Sequence, residues 1–273
     1  MTSFEIYKLR DWIDINKLDY HQLSGNINAI DFLSKNPEKI NWSILSGNLN
    51  AAKLLKQNPD MIDWVLLSWN SSDFAIHLLK QNPEKICWSY LSINPSAINI
   101  LIENISKIDW SMLAQNPNAT KLLYDDHLKK YWSYLAHNPC AVELFEKNNE
   151  NIPWSYLSGN HNAMHIIEKN PEKIDWISLS SNTHPSAIKL LEQNLDKICW
   201  PLLSQNPNAI YILEQNLDKI NWSWLSRNPN IFEVDHNVLK KRMNIIFEEL
   251  IMQSLHPSRI SKMLDGGMDA EDL

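Results

Sequence analysis

The chain predicts an all-α solenoid, made of about ten helical-hairpin repeats of about 22 residues, with a helical cap at each end. Three observations predict it. An aromatic residue returns at a nearly fixed period: Tyr20, Trp42, Trp64, Trp88, Trp110, Trp132, Trp154, Trp176, Trp200 and Trp222. Around each runs one pattern: Trp, Ser, x, Leu, Ser, x, Asn, Pro, x, Ala, Ile, x, Leu, Leu, x, x, Asn, Pro, x, Lys, Ile, Asp or Asn. No segment shows the period-two alternation between turns that marks a strand. A period of this size belongs to stacked repeats, each too small to bury its apolar face alone.

Residues 1–19 read as an N-terminal cap, in which Phe4 to Trp12 forms an amphipathic helix. Residues 20–235 hold the ten repeats. Counting from the aromatic as position 1, Trp-Ser-x-Leu-Ser is a short helix of about two turns. An Asp or Asn just before it, such as Asp63, Asp109, Asp175 or Asn221, caps its first amides. Position 7 is asparagine in every copy, from Asn26 to Asn228, and proline often follows. Asn-Pro is a helix start, because asparagine caps orphan amides and proline suits the first turn. The second helix carries Ala at position 10, as at Ala97 and Ala119, so that the two helices approach closely, and Leu or Ile at positions 13 and 14. Its apolar spacing is helical and gives one buried face, shared with the leucine at position 4. Position 1 lies in phase with that leucine, so the tryptophans are expected in the core. A second asparagine at position 17, such as Asn58 or Asn104, is expected to end the helix, since asparagine tolerates the left-handed conformation.

The pattern breaks in a few places. Two extra residues fall in the turn between the helices at Ser71–Ser72 and again at Thr183–His184. Repeat five replaces its connector with Asp125, Asp126, His127, Leu128, Lys129 and Lys130, where a packing irregularity is expected. Residues 236–273 read as a C-terminal helical cap and acidic tail, with a docking element for a second protein as the alternative reading of Asn237–Leu264; Val238, Leu239, Met243, Ile246, Phe247, Leu250 and Ile251 give its helix an apolar face. At ~9–10 Å per layer the stack is expected to be open, elongated and about 80–95 Å long.

Chemistry is sparse. The net charge is −7, and the arginines are only Arg10, Arg227, Arg242 and Arg259, which argues against nucleic acid. The five glycines build no phosphate loop and no nucleophile elbow. Cys87, Cys140 and Cys199 read as free thiols of a reducing compartment. The first residues do not read as a signal peptide, and no stretch has membrane-spanning length. His161 and His165 stand four apart, a spacing that can hold a metal, but they lie outward without an obvious third ligand. The recurrent serines have no histidine partner. No catalytic residue, cofactor or metal is therefore assigned.

Positions 3 and 6 differ from the rest because they vary while remaining aromatic-rich. Trp69, Tyr90, Ile93, Met112, Tyr134, His137 and Tyr156 are the candidate partner-binding residues, on the short helices of repeats three to seven.

The segment from Asp109-Trp110-Ser111-Met112-Leu113 through Asn116-Pro117-Asn118-Ala119 to Leu122-Leu123 resembles an ankyrin repeat without its β-hairpin finger. The shorter period and the missing Thr-Pro-Leu-His opening depart from that family. The Asn-, Ile- and Lys-rich style, with Trp-Ser-x-Leu-Ser, Asn-Pro-Glu-Lys-Ile and His256-Pro257-Ser258-Arg259, looks like tandem-repeat proteins of giant DNA viruses of the mimivirus type. That resemblance implies a protein of the host cytoplasm or the virion, not secreted, and no known activity. The expected function is a non-catalytic scaffold offering an elongated repeat surface to a protein partner such as a host factor. The alternative is a structural or assembly component of a virus particle or virus factory.

Overall fold

The computed structural model describes residues 7–119, 122–123, 130–147, 152–254, 256 and 259. The chain divides into two units, one spanning Asp11–Ile231 and the other joining Met1–Arg10 to Phe232–Leu273. The first is the α-solenoid of stacked helical hairpins that the sequence predicts.

Repeat four shows the unit. Its lead helix runs Trp88–Ile93, a 3-10 turn covers Pro95–Ala97, the second helix spans Ile98–Glu103, and a second 3-10 turn at Ile105–Lys107 forms the connector. Leu91, Ala97 and Leu101 have no exposed surface, so the predicted apolar face is the core. Capping follows the sequence: Asp63 Oδ1 accepts the amides of Val65 and Leu66 at 2.9 and 3.1 Å. The two-residue insertions lie between the helices, where Ser72 and His184 become the N-caps of longer second helices, Asp73–Gln81 and Pro185–Glu192.

The position-7 asparagines do more than start helices. Asn94 Oδ1 accepts the Ser96 amide at 3.0 Å, which is the expected cap. Its Nδ2 donates to the carbonyls of Ser68 and Asn70 in the preceding repeat, at 3.0 and 3.1 Å. The same pair of bonds recurs at every repeat described, all of them buried. A buried amide is costly unless bonded, and here each one satisfies two carbonyls of its neighbour. A second ladder uses the serine at position 5. Ser92 Oγ donates to the Trp88 carbonyl at 2.7 Å and accepts the Asp109 amide of the next repeat at 3.0 Å.

Three expectations about the repeats need correction. The position-17 asparagines are not left-handed: Asn58, Asn104 and Asn194 have φ of −135°, −133° and −136°. They end the helix through the side chain instead, as where Asn58 Nδ2 donates to the Leu54 carbonyl four residues back at 2.9 Å. The lead tryptophans are half-buried, not core, because position 1 opens its helix at the edge of the apolar face. The connector lysine covers the ring: Lys85 lies 4.4 Å above Trp64 and Lys107 4.6 Å above Trp88.

The third correction concerns the form of the solenoid. It closes. Asn26 Nδ2, in repeat one, donates to the carbonyls of Ser226 and Asn228, in repeat ten, at 3.1 and 2.8 Å. The Asp19 amide donates to Ser226 Oγ at 2.9 Å, and Ser223 Oγ donates to Asp19 at 2.7 Å. Asn28 Nδ2 reaches the Pro229 carbonyl at 3.0 Å, and Lys17 lies 4.9 Å above Trp222. Each contact repeats one found between consecutive repeats elsewhere. The segment Ile15–Lys17, expected as part of a helical cap, is the 3-10 connector that repeat ten lacks. Residues 11–231 are therefore a ring, not an elongated stack with two free ends. Lead helices of adjacent repeats pack directly on each other, whereas second helices touch mainly neighbouring turns. The lead helices form the tighter, inner layer of the curve.

The second unit contains a short antiparallel sheet, contrary to the expected absence of strands. β1 (Tyr7–Leu9) pairs with β2 (Phe232–Val234) in the register Tyr7↔Val234, Lys8↔Glu233 and Leu9↔Phe232. Lys8 and Arg10 both bridge to Glu233, at 3.1 and 3.2 Å. The N-terminal helix expected over Phe4 to Trp12 is thus a strand at Tyr7–Leu9, because its backbone groups pair across to Phe232–Val234. A 19-residue helix, His236–Ser254, follows, with Asp235 Oδ1 accepting the amides of Asn237 and Val238 at 3.0 and 3.2 Å. The connector at 124–129 and most of 255–273 lie outside the described residues.

Candidate protein-binding arc

Positions 3 and 6 of the lead helix sit one turn apart, on a side away from the buried leucine. Crowding around the position-6 glycines shows that these positions join from one repeat to the next. A Cβ on Gly25 would lie 3.2 Å from Ile44 Cγ2, at position 3 of the next repeat, and 3.4 Å from Arg227 Nε, across the closure. A Cβ on Gly47 would lie 3.6 Å from the Trp69 ring. The two positions therefore make a strip that runs around the ring.

The strip is chemically uneven. Repeats three to seven carry Leu66, Trp69, Tyr90, Ile93, Met112, Gln115, Tyr134, His137 and Tyr156. Repeats eight to one carry Ser178, Ser181, Leu202, Gln205, Trp224, Arg227, Gln22 and Gly25. Of the predicted residues, Trp69, Tyr90, Tyr134 and Tyr156 are 43–48% exposed, large for aromatic side chains. His137 is exposed as well, whereas Ile93 and Met112 are half-buried.

The arrangement brings His137 and Tyr156 together, with ring centroids 4.6 Å apart. Desolvation of the imidazole against its neighbours holds the His137 pKa below the ordinary value. Tyr134 meets Tyr131 edge-on at 6.4 Å, and Gln115 Nε2 donates to Met112 Sδ at 3.6 Å. Tyr131 escaped the sequence reading because it stands at the capping position, which is polar in most other repeats. Val65 and Ile177, 47% and 61% exposed, were missed too. Their signal was legible: they replace the serine usual at position 2.

The histidines of repeats seven and eight form the other polar cluster. His161, His165, His184 and Glu168 line an open cavity of about 310 Å³. His161 and His184 meet at 5.0 Å, His161 Nδ1 bonds Thr183 Oγ1 at 3.0 Å, and His165 Nε2 pairs with Glu146 at 2.8 Å. His184 Nδ1 accepts the Ser186 amide at 3.1 Å, which puts the proton of the neutral ring on Nε2. Among the described residues no group of His, Cys, Asp or Glu is placed to hold a metal ion. The cysteines are free, and no described helix is long and apolar enough to cross a membrane. No protein-family model, no curated protein and no solved structure matches this chain.

Proposed function

We propose that the protein is a non-catalytic binding scaffold whose ring of repeats presents the aromatic arc of repeats three to seven to a protein partner. One observation carries this reading: Trp69, Tyr90, Tyr134 and Tyr156 stay 43–48% exposed on a regular scaffold. Rigid aromatic side chains lose little rotamer entropy on binding and supply much of the energy at protein interfaces. The net charge of −7 favours a protein over a nucleic acid. A host factor in the cytoplasm fits this reading; an assembly role in a virus particle is the second one.

The test is a photo-crosslinking residue at position 137, carried both by the otherwise unchanged chain and by the triple variant Tyr90→Ala, Tyr134→Ala, Tyr156→Ala. A single stoichiometric adduct that the triple variant loses, at unchanged helical content, supports the binding arc. Adducts only to particle proteins in bulk would favour the assembly role. Capture unchanged in the triple variant would rule out the arc as the site.

A further inference from the structure

The helix His236–Ser254 presents an apolar face to solvent. Met243, Ile246, Phe247 and Leu250 are 59%, 40%, 65% and 59% exposed. Most helical stability in proteins comes from packing an apolar face. The apolar positions Leu239, Met243, Ile246 and Leu250 step by four, three and four residues, the alternation of a two-stranded helical seam.

The charges along the helix decide what covers that seam. Lys240, Lys241 and Arg242 occupy its first half and Glu248 and Glu249 its second. The chain is self-complementary only when a second copy runs antiparallel. Leu239 then meets Leu250 of the other copy, Met243 meets Ile246, and Arg242 comes beside Glu249. The helix dipoles oppose as well, which parallel pairing would not allow. A two-fold axis near Ile245 makes the contact isologous, the commonest form of homodimer. We infer that two copies of this chain associate through antiparallel pairing of His236–Ser254.

Sedimentation of the full chain tests this. Wild type should be a dimer at micromolar concentration, and Phe247→Glu with Leu250→Glu should weaken association at least 100-fold while the ring keeps its melting behaviour. Lys240→Glu, Lys241→Glu and Arg242→Glu together should also weaken it. Adding Glu248→Lys and Glu249→Lys to that variant should restore it. With Cys87, Cys140 and Cys199 replaced by serine, a Met243→Cys chain mixed with an Ile246→Cys chain should form an intermolecular disulfide, and Leu239→Cys alone should not. Four results would overturn the inference: a monomeric wild type, a dimer indifferent to Phe247→Glu/Leu250→Glu, failure of the charge exchange to restore pairing, or ready crosslinking through Leu239→Cys, which would mean parallel strands. A monomer whose helix is protected from hydrogen exchange would mean that the chain covers its own seam.

Discussion

The side-chain amide of Asn26 donates to the main-chain carbonyl of Asn228 at 2.8 Å, although 202 residues separate them. The bond is the same one that Asn48 makes to Asn26 at 3.0 Å, one repeat away. The asparagine ladder thus has no first or last member, and the stabilisation that an open stack lacks at its ends is present throughout the ring.

Closure predicts a short distance where an open stack would have its longest. Spin labels at Ile27 and Arg227, both exposed, should report neighbours one layer apart, about 10 Å between backbones. A separation near 80 Å would mean that the repeats do not close. Removing residues 1–18 takes away the Ile15–Lys17 connector and should lengthen that distance.

Position 7 should be equally costly to change at the closure and within the run. Asn116→Ala leaves the Ser92 and Asn94 carbonyls without their 2.9 Å donors and removes the cap on Asn118. We expect a loss of about 2–4 kcal/mol in chemical denaturation, from unsatisfied buried carbonyls and a lost cap. Asn26→Ala should match it to within about 0.5 kcal/mol. A much smaller effect at Asn26 would mean that the closing contacts contribute little.

The serine ladder is interrupted at Ala114 and again at Ala136, and at the second break the residue it would bond is Pro153, which has no amide hydrogen. The missing acceptor and the missing donor match. Ala136→Ser alone should therefore add nothing, while Ala136→Ser with Pro153→Asp should gain about 1 kcal/mol, one hydrogen bond together with a helix cap. A thermal-melt cycle over the four chains measures the coupling, and additivity of the two changes would refute the pairing.

Asp109 should link stability to pH. Burial works to raise its pKa, but hydrogen bonds from Ser111, Ser89 and the Met112 and Ser111 amides outweigh it and leave the carboxyl below its ordinary value. A carboxylate with a lowered folded-state pKa contributes stability above its unfolded value, about 3.9, and loses it as pH falls through the folded value. Ser89→Ala, which removes a 2.9 Å bond, should move the Asp109 titration upward in carboxyl NMR and lessen the acid sensitivity of the fold. An unmoved titration would show that the serine contributes nothing.

The repeat is readable in residue order alone: the lead helix, the Asn-started second helix, the alanine and leucine face and the Asp and Asn caps. These depend on bonds that close within about four residues, so residue type and spacing suffice. The candidate arc was also legible in part, because Tyr90, Tyr134 and Tyr156 break a repetitive pattern at one position. Four features emerge only from the packed fold: the solenoid closes, Tyr7–Leu9 is a strand, the tryptophans are half-buried under lysines, and each position-7 amide binds the repeat before it. Closure is a sum of small rotations, about 36° for each of ten repeats, and no single repeat carries a visible sign of that angle. The strand depends on a partner more than 200 residues away, so its short sequence, read locally, favoured a helix.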